Sequence, residues 1–486
     1  MGDDKERPVA EPEPTGLERA AQAFTRMAEK YVPDAFVFAL IGTFLVVVAA
    51  LLGTDVPAAK VVELWGKGFW ELLPFTLQMV LVVVTGYVLA TAPAVYRGIA
   101  WLAKIPKSAH GAVAFVAFFS MASSWLNWGF SLMFSAMLAR EIARRVTSAD
   151  YRSLAASSFL GLGSVWAQGL SGSAALQMTS PTAMTPAIRE IVAQGDIVPG
   201  GIIPLSDTIF LWQSLASVVI EVVLVTALVW FAAPRGSRAR SAADLGIDLG
   251  TSPIETASLA EKEETSGASG WGEAIERSRV LSYGFVALSL TYLVVYFRSA
   301  PTILGAVNLD TVNLTFLTAG VLLHGTPARL MRAVRDATPA TWGIILQFPF
   351  YAGIASIISK TKLSASIAHA FTSISTPATY PALIAAYSAA LGVFVPSGGS
   401  KWVIEAPYVM QAAHDHKVHL GWMVACYDLG EAVANLVQPF WMLPVLGLFK
   451  LKARDVMGFT FLVFIVLTPV VLVLVTVLGG TLSYPR

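Results

Sequence analysis

Long apolar runs constrain this chain more than any other feature. Stretches long enough to cross a hydrocarbon core, about 20 residues each, occur near 35–53, 70–92, 206–231, 280–297, 308–324, 339–359 and 456–479. They lack the alternation of a half-buried strand, and in lipid only helices and closed barrels satisfy their own backbone groups. Charge is segregated accordingly. Residues 1–30 hold 12 charged side chains and 232–279 hold 14, leaving 39 for the other 408 residues. That is under one in ten, against about 25% in a soluble domain. With 55% hydrophobic residues and a mean hydropathy of +0.65, lipid must solvate most of the surface, which excludes a soluble enzyme. A net charge of +1 gives no reason to expect nucleic acid. One cysteine, Cys426, rules out a disulfide scaffold, a Cys-ligated zinc site and an iron–sulfur cluster. The first 30 residues carry no apolar core and no small-residue cleavage site, so no secretory signal peptide is expected.

Four further apolar stretches are interrupted by polar or helix-breaking residues. Two are expected to be re-entrant helical hairpins with arms of about 15 residues, short for a crossing. The first is 112–146, with its tip at 125–129 (WLNWG); the second is 381–414, with its tip at 396–401 (PSGGSK). The other two, 152–178 and 420–449, contain 168–173 (QGLSGS) and 435–439 (NLVQP), and are expected to cross with an unwound middle. The fold class is therefore an all-α polytopic membrane protein of about nine transmembrane helices plus two re-entrant hairpins. With the N-terminus inside, 24 of the 33 Lys and Arg fall on the cytoplasmic side, as the positive-inside rule requires, and the C-terminus lies outside. The expected organisation is a cytoplasmic arm (1–30), a first membrane unit (31–231), a mobile cytoplasmic linker (232–279) and a second membrane unit (280–486).

The two units resemble each other. Residues 63–92 align with 332–361, placing Leu77-Gln78 over Leu346-Gln347 at an offset of 269. The same offset places Asn127–Ser131 over Pro396–Ser400, and with one residue of slippage Gln168 falls on Gln438. The odd number of crossings before the second copy makes this an inverted pair, and carriers built from such repeats place their sites where the repeats meet.

Irregular backbone at membrane depth must be buried in protein or line a cavity. Each hairpin tip presents the N-terminus of its second helix, whose unpaired amides and dipole favour an anion. Trp128, Gly129, Ser131, Ser171, Gly172, Ser173, Ser397, Gly398, Gly399, Ser400 and Gln438 are the candidate substrate residues, and Lys401 can neutralise a carboxylate. The side-chain oxygens of Asn127 and Asn435 suit Na⁺, and Glu431, one turn before Asn435, is the candidate for proton coupling. Each has a plainer alternative: the tip is a common turn composition, the asparagines can be interhelical glue, and Lys401 can snorkel to the outer interface. Glu405 and Asp428 also lie within or beside apolar helix. Glu141, followed by Arg144 and Arg145 at helical spacing, reads as a structural ion pair. Gln78 and Gln347 are expected to bury against a hairpin rather than touch ligand. No cofactor-binding motif, nucleophile–base pair or metal-ligand spacing is present.

These residues sit in segments that resemble the short-chain fatty acid transporters, a bacterial family of acetoacetate and butyrate uptake carriers. The matching segments are 63–73 (ELWGKGFWELL), 127–146 (NWGFSLMFSAMLAREIARRV), 169–173 (GLSGS), 311–327 (TVNLTFLTAGVLLHGTP), 346–354 (LQFPFYAGI), 395–407 (VPSGGSKWVIEAP) and 430–441. The resemblance runs from about Leu17 to the last span. It implies a multi-pass protein of the bacterial inner membrane, a branch of the broad ion-transporter superfamily. It further implies a homodimer, Na⁺ or H⁺ coupling and an elevator-like motion. Carried over by position, it places Asn127, Gly129, Ser171, Gly172, Ser173, Ser397, Gly398, Gly399, Ser400, Glu431, Asn435 and Gln438 around substrate or coupling ion. The family pattern often has His where Lys401 stands and Gln where Glu405 stands, so the charge beside the second tip is a departure.

Overall fold

The computed structural model describes residues 13–31, 33–71, 73–179, 184, 186–194, 198–253, 255, 270–300, 306, 308–363, 366, 369, 373–396 and 398–485. Among these residues the regular structure is helical throughout, with no strand. Each of the seven long runs forms a helix. They are α2 (Ala35–Gly53), α4 (Leu73–Thr91), α11 (Trp212–Ala232), α13 (Arg279–Ser299), α14 (Leu309–His324), α16 (Trp342–Lys360) and α21 (Ala453–Gly479). After α4, Pro93 opens α5 (Pro93–Leu102) with a bend of 80°, since a proline has no amide for the preceding turn and is favoured at a helix start.

The interrupted stretches fold as pairs of helices. α6 (Ala109–Leu126) and α7 (Trp128–Arg145) pack side by side and are joined by Asn127 alone. Their arms are 18 residues each, longer than the arms expected, because apolar sequence runs directly into both sides of the turn. In the second pair, α17 (Tyr380–Gly392) is followed by α18 (Gly398–Asp415). α8 (Tyr151–Phe159) gives way to irregular backbone before α9 (Ser173–Gln177), and α19 (Leu420–Ala434) does so before α20 (Leu443–Phe449). The first break opens at Leu160, well before the expected Gln168.

Element boundaries repeat along the chain. Adding 269 to the bounds of α3 (Ala58–Gly68) gives those of α15 (Pro327–Ala337), and adding it to α4 gives α16, residue for residue. The packing is reciprocal. α3 and α2 lie on α16, while their counterparts α15 and α14 lie on α4. Close approach is set by small residues. A Cβ on Gly68 would fall 2.1 Å from Ser356 Cβ, and one on Gly353 2.6 Å from Trp65 Cδ1.

Two polar parts of the chain pack against the helical body. The polar N-terminal arm contains α1 (Gly16–Tyr31), which buries Glu18, Ala21, Thr25 and Ala28 at three- and four-residue spacing and packs along α21. The linker is not loose through its first half: Tyr151 N donates to Arg240 O at 2.8 Å, and Arg144 donates to the carbonyls of Leu249, Gly250 and Thr251. Buried and rim-facing charges on α7 and α8 give this polar segment partners that water would otherwise supply.

The helical body has two polar rims. Thr15 Oγ1 donates to Phe231 O at one end of α11, and Gln213 Nε2 to Thr481 Oγ1 at the other. A 21-residue helix is about 30 Å long, so these terminal segments lie on opposite faces. One rim gathers Arg140, Arg144, Arg329, Arg332, Arg335, Lys450 and Lys452 around a single cavity of about 900 Å³.

Candidate functional site

The four irregular segments meet inside the body. Asn127 is extended (φ −159°, ψ 121°); its amide closes α6 on Ser123 O at 2.9 Å, and its Oδ1 caps α7 by accepting from Phe130 N at 2.9 Å. This one side chain therefore forms the first tip. The tip seats on the first break, where Leu170 N donates to Trp125 O at 2.8 Å and Trp128 N to Ser171 Oγ at 3.1 Å. It also reaches the second break, where the Trp128 and Trp441 rings lie 5.2 Å apart. The approach requires glycine: a Cβ on Gly169 would sit 2.1 Å from Trp125 O, and one on Gly172 2.2 Å from Ala167 O.

The second tip touches the first break, the short helix α9 that follows it, and Glu431 of α19, the helix that leads into the second break. Gln177 Nε2 donates to Gly399 O at 3.1 Å, and Gly399 lies against Ser173. A Cβ on Gly398 would stand 3.0 Å from the Trp166 ring and 3.5 Å from Glu431 Cγ. The breaks are joined to each other by Asn435, whose Nδ2 donates to Leu162 O at 2.9 Å. Gln438 Nε2 donates to Asn435 Oδ1 at 2.8 Å, and Phe440 N to Gln438 Oε1 at 2.6 Å. Ser397 lies outside the described residues, as does the side chain of Ser400.

Several residues hold the structure in this conformation. Ser131 Oγ donates to Ser120 O at 2.7 Å and ties the two arms of the first hairpin. Lys401 is buried and does not snorkel: its Nζ pairs with the Glu431 carboxylate and donates to Ser388 O at 2.8 Å and Ser388 Oγ at 3.1 Å. Its charge is thus balanced by the protein. Glu141 forms the expected ion pairs, with Arg145 at 2.7 Å and Arg144 at 3.6 Å, and also accepts from Tyr96. Gln78 does not bury against a hairpin. Its Nε2 donates to Asp310 Oδ1 at 2.7 Å on an exposed face, because α14 covers α4 there.

Membrane-depth carboxylates are the chemistry these contacts leave standing. Asp428 is fully buried, forms no ion pair among the described residues, and has the backbone amides of Ala174 and Ala175, at the start of α9, directed at its carboxylate. Glu405 accepts from the Tyr387 hydroxyl. Glu221, in the middle of α11, is fully buried and accepts from Gln168 Nε2 at 2.8 Å and Ser217 Oγ at 2.9 Å. Glu221 was open to discovery as an isolated acid in an apolar run. Its partner Gln168 lies 53 residues away, and sequence spacing does not connect them. A carboxyl buried in this way is costly to leave charged without a cationic partner. Among the described residues no group of three or more His, Cys, Asp or Glu could hold a metal ion.

Residues 16–478 match the family model described as short chain fatty acid transporter. A Haemophilus influenzae protein named for short-chain fatty acid transport is 34% identical over 460 residues, covering 94% of this chain and 99% of that one. An Escherichia coli K12 protein of the same name is 35% identical over 441 residues, covering 91% and 95%. Among solved structures, the Alcanivorax borkumensis YdaH transporter covers 95% of this chain and 98% of its own at 16% identity, with a TM-score of 0.42. Neisseria gonorrhoeae MtrF, from a class of antimetabolite efflux pumps, covers 93% and 97% at 14% identity, also with a TM-score of 0.42.

Proposed function

The chain belongs to the short-chain fatty acid transporter family, and on that premise we propose that it is a secondary active carrier of short-chain monocarboxylates such as acetoacetate and butyrate. It is a multi-pass bacterial membrane protein and not an enzyme. In this reading substrate enters across the inner membrane with Na⁺ or H⁺, by an elevator-like alternation in a homodimer, with the N-terminus inside and the C-terminus outside. The observation that carries it is the convergence of both hairpin tips on the first helix break and α9, with the second break tied to the first, through Trp128–Ser171, Gln177–Gly399 and Asn435–Leu162. Such a junction concentrates backbone amides and carbonyls that lipid cannot satisfy, which suits a carboxylate and a cation. The reciprocal packing of α2, α3 and α4 with α14, α15 and α16 supports an inverted repeat whose interface is this junction.

The roles follow from position. Tip amides and the hydroxyls of Ser171, Ser173, Ser397 and Ser400 receive the carboxylate, with Trp128 and Trp441 walling a short acyl chain. Asn127 and Asn435 supply oxygens to the cation when their present partners move, and Asp428 and Glu431 are the carboxyls that exchange a proton. A carrier of dicarboxylates would need a second cation at the tips, and Lys401 already pairs with Glu431. The test is uptake of labelled butyrate by the purified protein in liposomes, with Ser397→Ala plus Asn435→Ala beside the wild type. The double variant is expected to fold and to lose uptake; wild-type rates would contradict the site, and inhibition by succinate but not acetoacetate would contradict the substrate class.

A further inference from the structure

The cavity on the Arg-rich rim lies apart from the hairpin tips, and the residues discussed above leave it without a role. Seven Lys and Arg line it against three Asp, and apolar walls focus such a field on small anions. Three of these cations, Arg144, Arg329 and Arg332, have partners within the protein. Arg144 is held by the linker carbonyls of Leu249, Gly250 and Thr251 and by Glu141. Gly250, at φ +66°, makes the turn that lays the linker across the opening.

Arg140 differs. It is half-buried in the wall, no carboxylate among the described residues pairs with it, and its Nε is buried without a partner. The hydroxyls of Tyr87 and Tyr151 flank it. The wall also includes Gln347, fully buried, whose Oε1 and Nε2 have no hydrogen-bond partner among the described residues. An amide left so is unfavourable, because it has given up its water without gaining a partner. Gln347 and Leu443 share that wall, and Leu443 opens the helix that follows the second break. The lining of the cavity therefore runs from the cations of the rim to Gln347 and Leu443, the latter close to the second break.

We propose that this cavity is a second carboxylate site, an antechamber on the Arg-rich side in which the Arg140 guanidinium binds the substrate anion before or after its passage through the central junction. Guanidinium pairs with carboxylate in a planar, two-bond geometry, and a volume of about 900 Å³ admits a short-chain acid with its hydration water. Gln347 then offers the next polar contact inward. The inference rests on the monocarboxylate reading.

Its test uses full-length protein in inside-out vesicles. Cys426 is buried, so Cys426→Ala provides a background for a reporter, Leu451→Cys, on the cavity wall. Labelling by a membrane-impermeant maleimide is followed as butyrate is added. Butyrate is expected to protect Leu451→Cys but not Lys107→Cys, an exposed position outside the cavity. With Arg140→Gln the concentration giving half-protection is expected to rise about tenfold or more, the worth of a charge-assisted hydrogen bond, and Arg140→Lys is expected to recover part of it. Protection that is unchanged in Arg140→Gln, or absent in vesicles that do take up labelled butyrate, would overturn the antechamber and leave the carrier reading intact. Absence of butyrate uptake by the wild type would instead overturn the substrate reading beneath it.

Discussion

Lys401 and Glu431 form an ion pair with 1% and 0% of their side-chain surfaces exposed, tying α18 to α19 beside the second hairpin tip. Removing either partner strands the other charge away from water, which costs about 3–5 kcal/mol, whereas replacing both is much less costly. Lys401→Met and Glu431→Gln are each expected to lower the melting temperature of the detergent-solubilised protein by several degrees. The double variant is expected to recover most of that loss. Additive losses in the double variant would show that the pair is not the unit that matters.

Asp428 lies one turn from Glu431 yet forms no ion pair among the described residues, facing the Ala174 and Ala175 amides instead. Asp428→Asn preserves its size and removes its capacity to carry a proton or hold a cation. The expected phenotype is carrier that folds and exchanges labelled for unlabelled butyrate but no longer accumulates it against a gradient. Gradient-driven accumulation at the wild-type level would exclude Asp428 from coupling.

Asn435 is the direct hydrogen-bond link between the two breaks, through Leu162 O. Asn435→Ala leaves Gln438 Nε2 without its acceptor as well, and each lost buried contact costs about 1–3 kcal/mol. The expected result is a protein of reduced thermal stability whose butyrate uptake falls at least tenfold. Asn435→Asp, which keeps an acceptor for Gln438 but not the donor to Leu162, is expected to restore neither fully; full restoration would mean that the Leu162 contact is unimportant.

A single methyl group at Gly169 tests how closely the first tip must approach the first break. Its Cβ would lie 2.1 Å from the Trp125 carbonyl oxygen, a backbone atom that a side-chain rotation cannot move aside. Overpacking of this kind costs about 1–3 kcal/mol. Gly169→Ala is expected to insert and fold but to lose uptake, while Gly98→Ala, with nothing within 4 Å, is expected to be silent. Equal uptake by the two variants would contradict a tight tip.

Much of this architecture is legible in the sequence because lipid makes polar residues conspicuous. Asn127 stands between two apolar runs, and its backbone amide closes the first helix while its side chain caps the second. The breaks at Gln168 and Gln438 show for the same reason. Partners distant in sequence do not show. Gln78 and Gln347 occupy equivalent positions at the offset of 269, yet one bonds to Asp310 and the other faces a cavity unpaired. Lys401 reads equally well as an interface anchor until α19 brings Glu431 to it. The linker reads as mobile because its own residues are polar, whereas the contacts of Arg240 and Gly250 in its first half are with Asp150 and Arg144 elsewhere in the chain. α1 was legible in principle, from the spacing of Ala21, Thr25 and Ala28, beneath a charge density that suggests a solvated arm.

The most direct test of the account is accumulation of labelled butyrate by the purified protein in liposomes, under an imposed Na⁺ gradient, an imposed pH gradient or neither, with protein-free liposomes measuring passive entry of the neutral acid. The account predicts protein-dependent accumulation above the equilibrium level under one of the two gradients and only equilibration without them. Protein-dependent flux that merely equilibrates under every condition, or no protein-dependent flux at all, would contradict it.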